Sequence, residues 1–177
     1  AKYSITPMSA EVWRLQNIYP NTHPTLRLVQ FAASMYRQSI SFSEAMKCHT
    51  RKDVHELFSG CASEYWLDNF YLGTTKHEAS ARIGSFTSDL LGINVIIPTL
   101  IANGLYMDDA RLIRQAMELA QSIPTEQNRY INMWQRGSAP ISISAIDSQA
   151  LLHLSRTYCE NGACDKCWLY RIDTIRR

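Results

Sequence analysis

Three cysteines near the end of the chain, Cys159, Cys164 and Cys167, are the residues whose types and spacing point most directly to chemistry. Thiolates bind Zn²⁺ in a tetrahedral arrangement, and the C-x2-C spacing of Cys164 and Cys167 places two sulfurs on one ion. Gly162 is free to adopt a left-handed conformation, which turns the chain back and brings Cys159 in as a third ligand. The spacing therefore predicts a metal site formed by Cys159, Cys164 and Cys167.

A closed zinc site needs a fourth ligand, and the local sequence does not supply one. The candidates elsewhere in the chain are two further cysteines and four histidines: Cys48, Cys61, His23, His49, His55 and His153. Three cysteines can also hold part of an iron–sulfur cluster that has a distant fourth ligand. Zinc is the first expected cofactor and an iron–sulfur cluster is the alternative, while reduced thiols without a metal carry equal weight.

No pattern in the sequence predicts a catalytic residue. The chain has no nucleophile elbow, no H-E-x-x-H motif, no phosphate-binding glycine loop and no dinucleotide fingerprint. His49 and His55 are six residues apart, so they do not share a helix face as a metal-binding pair would, and we expect both on the surface. Asp108 and Asp109 are explained more simply by helix capping. The balance of these observations is against an enzyme.

Residues 85–104 form the longest apolar stretch, which has about the length of a membrane span. Polar and helix-breaking residues interrupt it, so we expect a buried helix of a soluble core: Asp89, Gly92, Asn94, Pro98 and Asn103. Buried polar groups need hydrogen-bonding partners. We expect Arg82 or Arg27 to supply them for Asp89 and Asn94, which are then structural residues.

The composition is that of an ordinary soluble protein, with 46% hydrophobic and 19% charged residues among 177. A formal net charge of +2 is too small to argue by itself for a nucleic-acid or membrane partner. The five cysteines are odd in number, which excludes a complete disulfide framework within one chain. Residues 1–13 do not resemble a signal peptide. We therefore expect reduced thiols in the cytoplasm.

Helix signals recur along the whole chain. Apolar residues at helical spacing predict a central helix around residues 26–36, and further helices are expected over 50–58, 65–73 and 86–102, the last with a kink near Pro98. Residues 74–84 are expected to form a loop. Asp108 and Asp109 begin a helix that ends before Pro124, Thr125 caps the next one, which Gly137 ends, and Ser144 with Asp147 resembles a capping box. We predict an all-α fold: one compact multi-helix domain over residues 1–177 with a short cysteine-containing C-terminal tail.

Several motifs occur in an order that resembles one bacterial family. They are Asn21-Thr22-His23-Pro24, Tyr65-Trp66, Gly92-Ile93-Asn94-Val95-Ile96-Ile97-Pro98, Ser148-Gln149-Ala150 and Tyr158-Cys159-x4-Cys164-x2-Cys167. In this order they are similar to the C-terminal half of the family catalogued as domain of unknown function 2851. The resemblance implies that this helical domain is the C-terminal part of a longer protein. It brings no established activity.

Three functions are compatible with these observations. The first is a non-enzymatic helical interaction module with a metal-stapled C-terminus, which docks a protein or an N-terminal domain of its own protein. The second is a nucleic-acid-associated accessory domain that contacts phosphates through basic residues: Arg27, Arg37, Arg51 and Lys52. The third is an enzyme whose metal is held by the three cysteines with one open position. The first is preferred, and no membrane partner is expected.

Overall fold

The computed structural model describes residues 4, 6, 8–13, 18, 23–38, 40–69, 80–137 and 144–170. These residues belong to two compact units. The first comprises Ala1–Ile40 and Phe58–Gly84, and the second comprises Ser41–Leu57 and Ser85–Arg177. The expectation of a single domain over residues 1–177 stays a prediction.

The fold class is all-α, as predicted. The α-helices are α1 Pro24–Gln38, α2 Phe42–Ala45, α3 Arg51–Leu57, α4 Ser85–Leu91, α5 Ile97–Tyr106, α6 Ala110–Ser122, α7 Arg129–Gly137 and α8 Ala145–Leu154. Two π-helical segments, Gly92–Ile96 and Ser155–Cys159, continue α4 and α8. Short 3-10 turns occur at Ala10–Val12, Glu64–Leu67 and Cys164–Lys166.

Helix α1 is buried along one stripe only. Leu26, Gln30 and Ser34 have almost no exposed surface, while large apolar residues on the other side are about half exposed: Leu28, Phe31 and Met35. The expectation of a central helix stays a prediction, since this burial is described within the first unit alone. The buried Gln30 amide donates to the carbonyls of Ser80 and Arg82 at 2.6 and 3.1 Å, which satisfies its polar atoms within the first unit.

The long apolar segment is a continuous helix, Ser85–Tyr106, made of α4, the π-helical segment and α5. The N–H of Ile97 donates to the carbonyl of Gly92, five residues earlier, just before Pro98. A single π-helical turn inside an α-helix, called a π-bulge, is a recognised cause of a local bend in a helix. Only 28% of the most apolar window is buried, so the expectation of a buried core helix is wrong.

Local capping chemistry explains where the later helices begin. Asp109 accepts the N–H of Arg111 at the start of α6, and Ser144 forms the predicted capping box with Asp147 at the start of α8. Helix α7 differs from the expectation: its first N–H groups are accepted by the side chain of Asn128, not by Thr125. Asparagine is a strong N-cap residue, and it lies directly before the helix.

The predicted aromatic helix over residues 65–73 is only partly described. The structure has a short 3-10 turn at Glu64–Leu67, in which the rings of Tyr65 and Trp66 meet edge to face with centroids 5.3 Å apart. Asp68 and Asn69 are not helical, so the predicted helix is wrong at these two positions. Residues 70–73, and residues 74–79 of the predicted loop, lie outside the described residues.

Candidate docking surface and cysteine tail

The cysteine tail folds back on itself as predicted. Cys159 closes the π-helical segment that extends α8, and Gly162 follows in the left-handed region with φ 61°. The N–H of Ala163 donates to the carbonyl of Tyr158 at 2.9 Å, and the N–H of Cys167 donates to the carbonyl of Cys164 at 3.0 Å. This reversal keeps the three cysteines within one compact turn.

The three thiols are free and differ in exposure. Cys159 and Cys164 are exposed and Cys167 is buried. Partial burial, and then the electrostatic interaction with the neighbouring Cys164 and Cys167, raise the pKa of Cys159, so this thiol is not activated as a nucleophile. Among the described residues, no three His, Cys, Asp or Glu side chains are arranged so that they could hold a metal ion. The metal site at Cys159, Cys164 and Cys167 stays a prediction.

Two of the residues that are candidates for the fourth metal ligand of the cysteine site make other contacts in the structure. Cys48 is buried, burial raises its pKa to about 11 ahead of the nearby charges of Asp53 and Glu44, and its thiol donates to the carbonyl of Glu44. His55 is bound to Asp89. His153 lies on α8, on the same continuous helix as Cys159, and its Nδ1 is 3.5 Å from the Thr157 hydroxyl.

A polar cluster that the sequence did not predict joins α3 to α4. Arg51 donates from Nε and Nη2 to the two carboxylate oxygens of Asp89 at 2.8 and 2.9 Å, and Nε2 of His55 lies 2.8 Å from Oδ1 of Asp89. Partial burial favours the neutral acid, but the hydrogen bonds from Arg51 and His55 outweigh it and lower the pKa of Asp89. The partners of Asp89 are thus not the expected Arg82 or Arg27, and His55 is not a plain surface residue.

The cluster has the geometry of a structural ion pair. The Arg51–Asp89 contact is bidentate, which holds α3 and α4 in one orientation. The backbone N–H of Arg51 also donates to the hydroxyl of Ser122 at 2.9 Å, which ties the start of α3 to the end of α6. The sequence offered one signal for this site, namely a carboxylate on an otherwise apolar helix.

The basic residues of the nucleic-acid hypothesis are mostly engaged within the protein. Arg51 pairs with Asp89, Lys52 lies 3.5 Å from a carboxylate oxygen of Glu56, and Arg27 donates to Gln30 at 3.0 Å. A surface that binds phosphates needs cations that can approach them. Nucleic-acid binding therefore stays a prediction that these contacts do not support.

The side of the Ser85–Tyr106 helix that faces away from α6 forms an open groove, which we call the outer face. The groove has a volume of about 510 Å³ and is lined by Phe42, Asn94, Val95, Pro98, Thr99, Ala102, Asn103 and Tyr106. None of these residues carries a charge. Phe42 is 59% exposed, Val95 45% and Tyr106 86%. A mostly apolar, uncharged concave surface of this size is typical of a docking site.

The groove contains polar groups that can accept hydrogen bonds. The Asn94 amide donates to the carbonyl of Leu90 at 2.9 Å, and the Asn103 amide donates to the sulfur of Met46 at 3.5 Å. The side-chain amide of each of these two asparagines also carries an oxygen, which can accept a hydrogen bond. The outer face thus offers acceptors within an apolar surface.

By length and composition alone, the Ser85–Tyr106 helix could cross a membrane. Its most apolar window has a mean hydropathy of 1.5. A core helix of a soluble protein passes the same test, so a single helix of this kind is weak evidence for a membrane protein.

Comparison with known proteins concerns the first 129 residues. The family described as "Protein of unknown function (DUF2851)" matches residues 1–129. No curated protein and no solved structure matches the chain. The matched stretch contains the motifs at residues 21–24, 65–66 and 92–98, whereas the cysteine tail lies beyond it, and the place of the tail in the family stays a prediction. Because the match covers more than half of its length, the chain belongs to the DUF2851 family.

Proposed function

We propose that this protein is a non-enzymatic helical interaction module, whose outer face docks an uncharged, largely apolar helix of a protein partner. The observation that carries the proposal is the exposure of apolar side chains on a helix that is already packed on its other side. Leu100 and Ile96 are buried, while Val95 and Tyr106 of the same helix are exposed. A helix that is apolar around its circumference is ordinarily covered on all sides.

Binding of a partner to the outer face is favoured because it removes exposed apolar area from water. Each square ångström of apolar surface that is removed from water contributes about 25 cal/mol. The outer face presents several large side chains at once, so a partner that covers them gains from many small contacts. Single exposed apolar residues are common on protein surfaces, but here Phe42, Val95 and Tyr106 are exposed around one concave surface, which is typical of an interaction site.

The chemistry of the lining specifies the partner. A charged side chain placed in this groove would lose water and find no opposite charge among the eight lining residues. The amide groups of Asn94 and Asn103 instead suit hydroxyl or amide groups of the partner. The partner is therefore an amphipathic helix whose contacting side is apolar with a few neutral polar residues.

The test is a peptide titration followed by fluorescence anisotropy. A designed helical peptide with an uncharged apolar side is compared with two versions that carry Glu or Lys on that side. We expect the uncharged peptide to bind and Ala102→Glu to abolish binding, because the new carboxylate lies in the groove. Ala150→Glu is the matched control, since Ala150 is exposed on α8. Equal binding by the Ala102→Glu protein, or by the charged peptides, would contradict the proposal.

The second part of the proposal concerns the tail. Cys159, Cys164 and Cys167 supply three ligands to a zinc ion that stabilises the C-terminal turn, with an iron–sulfur cluster as the alternative. The compact turn around Gly162 supports this proposal, because the three thiols lie on one short reversal. Protein purified under reducing conditions is expected to contain one equivalent of zinc, which Cys164→Ser removes. Metal-free protein with five reactive thiols would reject the zinc ion.

The remaining parts of the proposal follow from the first. A docking module needs no catalytic group, so we propose that the chain is not an enzyme. We also propose a cytoplasmic location, because the five cysteines form no disulfide with one another. We further propose that the outer face binds protein and not lipid, because Asn94 and Asn103 line it and Asp89 forms its ion pair on the same helix.

A further inference from the structure

We propose that Cys164 and Cys167 form a redox pair, in which Cys164 attacks an external disulfide and Cys167 then completes a disulfide bond within the tail. This inference goes beyond the proposed function, because it needs neither a docking partner nor a bound metal ion. It gives the cysteine turn a second chemical state. A disulfide between Cys164 and Cys167 leaves only Cys159 of the three to bind a metal, so the two states exclude each other.

The backbone of the turn brings the two cysteines of the redox pair into bonding range. Cys164 begins the 3-10 turn Cys164–Lys166, and the N–H of Cys167 donates to the carbonyl of Cys164 at 3.0 Å. A 3-10 turn rises about 2 Å per residue, which places these two Cα atoms about 6 Å apart. Disulfides join Cα atoms that are roughly 4.4–6.8 Å apart, so the bond fits the turn as it stands.

The side chains of the redox pair also lie on the same side of the turn. Residues three positions apart in a 3-10 turn eclipse each other. Cys167 is the last residue of the turn, and its φ of −75° is close to the helical value. Its Cβ therefore keeps the direction of a helical residue, toward Cys164.

Exposure assigns a different role to each thiol of the redox pair. Cys164 is exposed, whereas Cys167 is only 9% exposed. Thiol–disulfide exchange begins at the thiolate that can reach the external disulfide, which makes Cys164 the attacking residue. Cys167 is shielded from solvent but lies beside Cys164, so it attacks the mixed disulfide from within the chain.

Two other thiols are poor competitors for this reaction. Partial burial raises the pKa of Cys159, and burial raises the pKa of Cys48 to about 11. Only the thiolate form attacks a disulfide, so little of either residue is reactive at neutral pH. These properties favour one specific disulfide over a mixture.

The reaction consists of two exchange steps that conserve atoms and electrons. The Cys164 thiolate attacks one sulfur of a low-molecular-weight disulfide, which forms a mixed disulfide and releases one small thiolate. The Cys167 thiolate then attacks the Cys164 sulfur, which forms the internal disulfide and releases the second small thiolate. The protons of the two cysteines pass to the two small thiolates. The protein loses two electrons, and the external disulfide gains them.

The first experiment locates the disulfide with trypsin. The full chain is incubated with glutathione disulfide and a metal chelator, its free thiols are alkylated, and it is digested. Trypsin cleaves after Arg156, Lys166 and Arg171, so the redox pair is divided between peptides 157–166 and 167–171. We expect these two peptides to be joined, with Cys159 alkylated, and we expect dithiothreitol to separate them.

Three outcomes of this digestion would overturn the redox pair. A disulfide between Cys159 and Cys164 would stay within peptide 157–166. A disulfide between Cys159 and Cys167 would join the two peptides but leave Cys164 alkylated, which fragmentation in the mass spectrometer reveals. Alkylation of all five cysteines would show that no disulfide forms.

The second experiment tests the role of each thiol. Cys167→Ser is expected to stop after the first step and to accumulate the mixed disulfide of Cys164 with glutathione, whereas Cys164→Ser is expected to lose the reaction. Cys159→Ser is the matched control and is expected to keep the joined peptides. Thermal unfolding establishes that each variant is folded. A Cys164→Ser protein that reacts like the native protein, or a Cys159→Ser protein without joined peptides, would contradict these roles.

Failure of the redox pair can be separated from failure of the proposed zinc ion. A protein that contains zinc, yet never gives the joined peptides after chelation, overturns the redox pair and leaves the zinc ion in place. A metal-free protein that gives the joined peptides supports the redox pair and rejects the zinc ion. If both are correct, glutathione disulfide without chelator releases the zinc, because two of its three cysteine ligands are consumed.

Discussion

The two sides of the Ser85–Tyr106 helix are both apolar, but only one of them is buried. The inner side carries Ile96 and Leu100, which have at most 2% exposed surface, together with two buried glycines, Gly92 and Gly104. The outer side carries the exposed row from Val95 to Tyr106. Apolar composition alone therefore does not determine which side of the helix faces the core.

The polar and small residues of the inner side explain why that side faces the core. Asp89 lies at the start of this side and is held by Arg51 and His55 of α3. Gly92 and Gly104 let neighbouring helices come close: a Cβ at Gly92 would lie 2.8 Å from Cδ1 of Ile123, and a Cβ at Gly104 would lie 2.9 Å from Cγ1 of Ile113. Turning the helix would lose the ion pair and these close contacts.

The largest expected difference between the two sides concerns two leucines. Leu100→Ala is expected to lower the free energy of unfolding by about 2–5 kcal/mol, because it leaves a cavity at a position with no exposed surface. Leu105→Ala, at a position 68% exposed, is expected to change it by less than about 0.5 kcal/mol. Urea unfolding measures both. Similar losses for the two variants would remove the distinction between the sides.

The next difference concerns the close approach at Gly104. Gly104→Ala is expected to destabilise the protein by about 1–3 kcal/mol, since the added methyl group lies 2.9 Å from Ile113 and 3.1 Å from the carbonyl of Asp109. The gain in helix propensity from alanine, about 1 kcal/mol, offsets part of this cost. Gly84→Ala is the control, because nothing lies within 4 Å of its Cβ position. A stabilised Gly104→Ala protein would show that the packing there is loose.

The ion pair between Arg51 and Asp89, which orients the helix, is expected to have the third-largest effect on stability. Asp89→Asn removes the charge from the bidentate contact with Arg51 and is expected to cost about 1–3 kcal/mol at neutral pH. Asp108→Asn is the control: Asp108 is exposed and has φ 52°, a left-handed conformation that asparagine also adopts.

The same pair predicts how stability depends on pH. The pKa of Asp89 is lowered in the folded protein, so its contribution is complete above the unfolded-state value of about 3.9 and is lost as pH falls through the folded-state value. The difference in unfolding free energy between the native protein and Asp89→Asn should therefore be full at pH 7 and shrink in acid. A difference that does not change down to pH 2 would mean that Asp89 contributes no charge interaction.

Element boundaries were predictable wherever local chemistry sets them. Asp109 caps α6, α6 ends before Pro124, and Ser144 with Asp147 opens α8, as the sequence indicates. These signals act between residues that are two or three positions apart, so no distant part of the chain is needed. The cap of α7 was misassigned to Thr125, because Asn128 is also a good cap and lies directly before the first helical residue.

Burial and partners were predictable only in part. The sequence singled out Asp89 as a carboxylate that needs a partner, but it did not indicate Arg51 and His55, which lie 38 and 34 residues away. It also predicted that the long apolar helix is a buried core helix, although only 28% of its most apolar window is buried. Both questions depend on which helices pack together, and periodicity within one segment carries no such information.

The helical fold class, the bounds of most described helices and membership of the DUF2851 family can be read from the amino-acid sequence. These properties follow from short-range capping, from helical periodicity and from the order of motifs. The buried side of the Ser85–Tyr106 helix and the residues that hold Asp89 depend instead on packing between helices. The physical reason is that two apolar sides of one helix have similar transfer free energies, so glycine contacts and an ion pair from other helices select between them.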